Sequence, residues 1–436
     1  MTRRARQYIR DLVRIDTTNP PGNETAAAEY IRVALAKEGI ATELLGPDRT
    51  RLNVIARLAG NGARRPLLLM AHTDVVPADP TQWTVAPFAA RQKSGYLYGR
   101  GTQDDKALLA AHMTVLVEFK RRGVPLARDV ILLGEADEEA GSTGIQWLIA
   151  NAWAKIDAEF AIHEGGYAAD TAAGLRLFHV QTCEKIPTRV RLTAQGSAGH
   201  GSSPTTDNPV VRLARALIRL NDADQPVYLN PTTRLYLGAL SRIPQYEWLR
   251  DLLPKLENEA GSLAAANQLR SREPELEAML RTTLSPTMIE AGVKINVIPS
   301  VAVGFIDARR LPTETRDEVL VRFRRIINDS LVTVEPAGGQ QMPATEPSPT
   351  TTSLYVSMEK VLLESHSNAR VVPYMSRGAT DGAFLRAKGM AVYGAPIFLR
   401  TGPDSRAHGN DERIELAGFD SGVQLLWRIV NEAAAR

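Results

Sequence analysis

Apolar residues recur at helical spacing between Arg4 and Ile40, with Ile9, Leu12 and Val13 on one face, and Thr17-Thr18-Asn19-Pro20-Pro21-Gly22 interrupts the run. Two prolines and a glycine end one helix before the next begins. The pattern then shortens to strands at Leu52 to Leu58 and Pro66 to Ala71, becomes helical from about Lys106 to Arg122, and returns to a strand at Asp129 to Glu135. Strand, helix and strand in succession predict an α/β layer around a mostly parallel central sheet.

A second regime begins near Lys185. Thr188 to Ala194 alternates as a half-buried strand, Asn208 to Leu220 is helical with Pro209 in its first turn, and Ile289 to Asp307 resembles a strand pair. Thr315 and Glu318 form a capping box for a helix with Val319, Phe323, Ile326 and Ile327 on one face. This β-α-β-β-α-β order predicts a small α+β sandwich inserted into the larger unit. Residues 245–284, rich in Leu, Glu, Ala and Arg, read as a helical insertion, and Pro336 to Thr352 as a linker. The predicted organisation is therefore a discontinuous first domain at 1–184 and 343–436, with a lid-like domain at 185–342.

Composition narrows the chemistry. The 436 residues suffice for two or three domains, and 44% hydrophobic with 23% charged residues is ordinary for a folded, water-soluble chain. Lysine plus arginine total 52 against 49 acidic residues, and an excess of +3 is too small for a nucleic-acid or membrane footprint. No apolar run approaches the ~18 residues of a membrane span, and the basic N-terminus lacks an export-type apolar region, which gives a cytoplasmic expectation unless a leader has been removed. Cys183 is the sole cysteine, so any metal must take His, Asp or Glu.

Those residue types gather at strand ends and in one late loop. His72 and Asp74 follow the Pro66 to Ala71 strand and share a face. Gly99-Arg-Gly-Thr-Gln-Asp104-Asp105-Lys106 delivers adjacent carboxylates to a helix start, Asp137-Glu138-Glu139 follows the next strand, His163-Glu164-Gly165-Gly166 follows Phe160 to Ile162, and His408-Gly409-Asn410-Asp411-Glu412 lies near the C-terminus. Taken singly, each is an ordinary polar turn or an acidic helix start favoured by the dipole. Together they imply a carboxylate-rich metal centre, and nitrogen and oxygen ligands without thiolate suit zinc, with cobalt or manganese as substitutes.

The ordered set His72-Thr-Asp74-Val-Val-Pro77, Gly99 to Lys106, Asp137-Glu138-Glu139-Ala-Gly141, Glu164-Gly165-Gly166, Gly199-His200-Gly201-Ser202 and His408-Gly409 resembles the M20 metallopeptidase family over nearly the whole chain. The resemblance implies two zinc ions bridged by Asp104, with His72 and Glu164 completing one site and Glu139 and His408 the other. It further implies that Asp74 orients His72, that Glu138 is the general base, and that the Asp104-Asp105 peptide is cis. In the inserted domain it makes His200 the group that polarises the scissile carbonyl, and Asn296, Arg309, Arg377 and Gly378 the substrate-binding residues. Ala383 stands where the desuccinylase version of this segment carries arginine. His112, His179 and His366 match no motif and read as structural.

The implied activity is hydrolysis of an amide or peptide bond in a small carboxylate-bearing substrate such as a dipeptide, a C-terminal residue or an N-acyl amino acid. A dedicated N-acyl amino acid deacylase is the alternative within the class, and a metal-retaining binding protein without catalysis lies outside it. Intact Glu138 argues against the latter, because binding alone needs no base. The resemblance also raises a homodimer in which His200 acts in trans.

Overall fold

The apolar run ending at His72 forms the strand Leu67–His72, buried along its whole length, in a computed structural model that describes residues 1–339, 341–399 and 406–435. Burial on both faces explains why this strand does not alternate. It pairs in parallel with Val130–Glu135 on one side and Phe160–His163 on the other, and Phe160–His163 pairs in parallel with Ala391–Gly394. These four form the centre of a nine-stranded sheet. Antiparallel strands flank the centre: Asn53–Leu58 and Thr42–Leu45 lie beyond Val130–Glu135, and Arg176–Glu184 lies beyond Ala391–Gly394. Parallel direction sends the carboxyl ends of Leu67–His72, Val130–Glu135 and Phe160–His163 to one edge, where ligands gather in such sheets.

The chain divides into two units, Met1–Cys183 with Ser348–Tyr374 and Thr380–Arg436, and Glu184–Pro347 with Met375–Ala379. The short Met375–Ala379 segment thus counts with the second unit, whereas the sequence assigns all of 343–436 to the first. In the first unit, helices Thr2–Arg14, Glu24–Ala36, Lys106–Arg122 and Leu416–Ala434 contribute to one core with the sheet. Lys106–Arg122 is buried continuously from Lys106 to Phe119, as expected of a helix that is apolar on every side. A small sheet of Arg91–Lys93, Tyr96–Tyr98 and Arg413–Glu415, too short to read in the sequence, ties the C-terminal loop to the Gly99 turn.

The second unit is a four-stranded antiparallel sheet in the order Thr283–Ala291, Val301–Arg310, Ile186–Gln195, Val332–Pro336. Helices Pro209–Asp222 and Arg316–Ile327 share its core, the latter begun by the Thr315/Glu318 capping box. The helical insertion is larger and earlier than predicted: it comprises Pro231–Leu240, Leu249–Leu256, Glu259–Arg272 and Pro274–Glu277, and the chain is a strand again at Thr283. The Pro336 to Thr352 segment is no free linker. Thr345 N donates to Pro312 O at 2.8 Å, and Ser348, also buried, donates to Thr182 O and Val392 O. No described helix is long and apolar enough to cross a membrane.

Candidate active site

Three strand ends and one late loop bring the chemistry together in the first unit. His72 closes its strand with both ring nitrogens engaged: Nδ1 lies 2.9 Å from the Asp74 main-chain oxygen, and Nε2 lies 3.0 Å from Asp104 Oδ1. His408 Nε2 approaches the other oxygen, Asp104 Oδ2, at 3.1 Å, and Glu139 Oε1 at 3.1 Å. One carboxylate therefore faces two histidines, one per oxygen. His72, Asp104 and Glu139 can place ligand atoms within 4.8 Å of one another, and so can His72, Glu138 and Glu164. The Asp104–Asp105 peptide bond is cis.

Asp74 stands beside His72 and also serves the turn that follows the neighbouring strand. The nearest partner of His72 Nδ1 is the Asp74 carbonyl, while the Asp74 carboxylate stands 3.5 Å away. That carboxylate also accepts the main-chain N–H of Glu138 at 3.2 Å, the N–H of Glu139 at 3.1 Å and Asn19 Nδ2 at 2.8 Å. It frames the turn that presents both glutamates. Burial opposes its charge, yet these donors and His72 hold its carboxyl below the usual range.

Behind Asp74 lies a network that the sequence did not disclose. Asn19 Nδ2 also donates to Asp137 Oδ1 at 2.9 Å, and Arg51 Nη2 joins Asp137 Oδ1 at 2.7 Å to Glu24 Oε1 at 2.6 Å. Asp137 takes a left-handed φ of 69° and further accepts Thr143 N and Oγ1. Asn19 sits in the Thr17 to Gly22 break, which as sequence signals only a turn. The two prolines that follow it have no N–H to compete for these acceptors.

Asp104 is held from the C-terminal side. The Glu412 carboxylate, buried, accepts Arg100 Nη1 at 2.6 Å and the main-chain N–H groups of Gly101 at 3.0 Å, Gln103 at 2.6 Å and Asp104 at 3.2 Å. Gly99 N donates to Glu412 O at 2.9 Å. These bonds bring His408, four residues earlier, to Asp104. Glu164 is placed by glycine: a Cβ on Gly394 would meet Glu164 O at 2.3 Å, so a side chain there would displace the ligand loop.

The residues fit divalent cations on two observations. Glu164 Oε1 is buried with no hydrogen-bond partner among the described residues, at the site where a ligand oxygen is wanted. The cluster also draws positive charge. Hydrogen bonds to Asp104 and Glu139 lift His408 to about 10, and Asp104 and Asp74 raise His72 although burial opposes it. Burial and then the Glu164 carboxylate push Glu138 well above the ordinary glutamate range, and burial and then Asp104 do the same to Glu164. Such crowding is stable when cations offset it.

The remaining histidines do other work. Burial lowers His112 and His163 to about 3, His179 stacks on Tyr167 with centroids 4.2 Å apart, and His366 lies against Arg176. Asp105 occupies the N-cap position of the Lys106 helix but makes no side-chain cap bond, and burial raises its carboxyl well above the usual value.

The second unit carries the other predicted residues. His200 and Asn296 adjoin: Gly199–His200 pairs with Val297–Ile298, and Gly201 N donates to Asn296 O at 2.8 Å. His200 is exposed, with Nδ1 2.7 Å from Ser202 Oγ. Arg309, half-exposed on Val301–Arg310, pairs with Asp307 at 3.1 Å, two residues back on the same strand face. Arg377 pairs with Glu275 at 3.0 Å, and Gly378 N donates to Ser376 Oγ at 3.2 Å.

Comparison with known proteins gives a consistent result. The sequence profile of Peptidase family M20/M25/M40 matches residues 68–432. The N-fatty-acyl-amino acid synthase/hydrolase PM20D1 of Homo sapiens is 28% identical over 380 residues, covering 85% of this chain and 74% of that protein. Aminoacylase-1 of Homo sapiens is 25% identical over 437 aligned positions, covering 99% and 94%. Among solved structures, the M20 family metallo-carboxypeptidase Sso-CP2 from Sulfolobus solfataricus shares the fold, with a TM-score of 0.72 at 19% identity over 97% of each chain.

Proposed function

The chain belongs to peptidase family M20/M25/M40, a metal-dependent hydrolase family, and from that premise we propose that it cleaves the amide bond of N-acyl amino acids bearing a free carboxylate, using two zinc ions. The observation that carries this reading is the Asp104 carboxylate facing His72 with one oxygen and His408 with the other, Glu139 and Glu164 beside them. The five side chains would hold the metals, which when bound lower the pKa of water and polarise the amide carbonyl.

The chain's own groups then move the proton. Glu138 takes a proton from the attacking water as the water oxygen bonds to the carbonyl carbon, and passes it to the leaving nitrogen as the C–N bond breaks, giving a free acid and an amine. Burial and the neighbouring Glu164 carboxylate raise its affinity for protons, which favours its taking the proton from water. Asp74 orients Glu138 through the turn N–H groups. His200 donates to the developing oxyanion, and Arg309, with Asn296, Arg377 and Gly378, receives the substrate's carboxylate and polar groups.

N-acyl amino acids are preferred over peptides because two relatives of the chain are named for that chemistry, N-fatty-acyl-amino acid synthase/hydrolase and aminoacylase-1. Zinc-loaded protein assayed on matched N-acyl amino acids and dipeptides tests the reading: acylated substrates should be cleaved at least tenfold faster, and dipeptide preference would reverse it. A homodimer is supported by the exposed edge strand Thr283–Ala291, which carries Met288 and Ile289 at 54% and 63% exposure. A monomer mass by sedimentation velocity would exclude it.

A further inference from the structure

Arg100, almost wholly buried in the first unit, sets its guanidinium between segments distant in the chain. Nη1 donates to Glu412 Oε2 at 2.6 Å, while Nη2 donates to two main-chain carbonyls, His408 O at 3.3 Å and Pro77 O at 3.4 Å. Pro77 lies five residues beyond His72, so one side chain ties the segment after one proposed ligand to the loop that carries another. Arg100 is itself fixed: its N–H donates to Pro87 O at 2.9 Å, and its guanidinium carbon stands 5.3 Å from the centre of the Trp83 ring. The Trp83 segment is anchored to the same late loop, because Thr84 N and Oγ1 donate to Asp411 Oδ1 at 2.8 and 3.0 Å.

His408 needs such a hold. Its φ of 63° is left-handed, a conformation that a residue with a Cβ keeps only where its surroundings enforce it. The carbonyl that Arg100 grips belongs to the residue whose ring meets Asp104 and Glu139. His72, by contrast, closes a strand paired on both sides, and its Nδ1 has the Asp74 carbonyl, so its place does not depend on Arg100. Resting on the two-ion reading above, we propose that Arg100 is a positioning residue for His408, and that it governs the ion of Asp104, Glu139 and His408 rather than that of Asp104, His72 and Glu164. Arg100→Lys separates this role from charge alone. It keeps a cation for Glu412 but lacks the planar fork that serves two carbonyls at once.

The test titrates the metal-stripped full chain with zinc against a chromophoric chelator. The wild type should take up two ions. Arg100→Lys should hold one of them as the wild type does and bind the other roughly 10- to 100-fold more weakly, the usual loss when a group that orients a ligand is removed. His408→Ala should weaken the same single ion, and Arg100→Lys/His408→Ala should lose no more than His408→Ala alone, because a group acting through His408 then has nothing left to place. If Arg100→Lys does not fold, Arg100→Met with Glu412→Gln, which removes both charges of the buried pair together, carries the same expectation. Equal weakening of both ions, unchanged affinity for both, or additive losses in the double variant would overturn the assignment while leaving the two-ion reading intact. A wild type that binds fewer than two ions would overturn that reading and the assignment with it.

Discussion

Replacing Asn19 with alanine should damage catalysis without touching any proposed metal ligand. The amide is almost fully buried and donates to two carboxylates, Asp74 at 2.8 Å and Asp137 at 2.9 Å. A hydrogen bond to a charged group is worth about 1.5–3 kcal/mol. The two do not simply add, because Asp74 keeps the N–H groups of Glu138 and Glu139, and Asp137 keeps Arg51 and Thr143. A net cost of about 2–3 kcal/mol to the arrangement is therefore expected, which corresponds to roughly 30- to 150-fold if it is felt in the transition state. The assay is kcat and KM under saturating zinc, with metal content measured on the same sample. Asn19→Ala should lower kcat by that factor, leave KM within threefold and keep the metal. Asn19→Asp, which sets a third carboxylate against two, should be worse. Wild-type kcat in Asn19→Ala would refute the claim that this amide holds the turn of Glu138 and Glu139.

Other expectations follow from the same geometry. Amidating the substrate carboxylate should lower kcat/KM ten- to a hundredfold, and Arg309→Ala should lower activity on the free acid but hardly on the amide, which paired kinetics will show. Glu412→Ala removes one partner of a buried ion pair with Arg100 and the acceptor of three N–H groups, so it should destabilise the fold by about 3–5 kcal/mol in denaturant titration. In metal-stripped protein, His408 is raised to about 10 from 6.5. Its contribution to stability is complete below pH 6.5 and is lost as pH rises through 10. The Tm of the stripped wild type should accordingly fall more steeply over that interval than that of stripped His408→Ala, and equal slopes would contradict the pairing with Asp104 and Glu139.

Legibility in the sequence followed how local each signal was. The strand before His72 and the helix from Lys106 to Arg122 could be bounded to within a residue or so, because an unbroken apolar run and a polar stop are properties of adjacent positions. The capping box at Thr315 was readable for the same reason. Groups such as Glu412, Arg51 and Asn19 act on residues distant in the chain, and a buried carboxylate that accepts four N–H donors looks in sequence like any acidic loop residue. Short pairings such as Arg413–Glu415 with Tyr96–Tyr98 fall below the length at which alternation can be seen. Asp74 lies beside His72, as the spacing suggests, and its carboxylate also accepts two main-chain N–H groups, which a sequence does not display.

The most direct test of the account is Glu138→Gln, with metal content and turnover measured on one preparation. The substitution keeps the shape of the side chain and removes its capacity to take a proton, whose transfer is worth roughly 10²- to 10⁴-fold. The variant should hold two divalent ions per chain, as the wild type should, with kcat reduced at least a hundredfold and KM little changed. Near-normal turnover with the metals retained would contradict it.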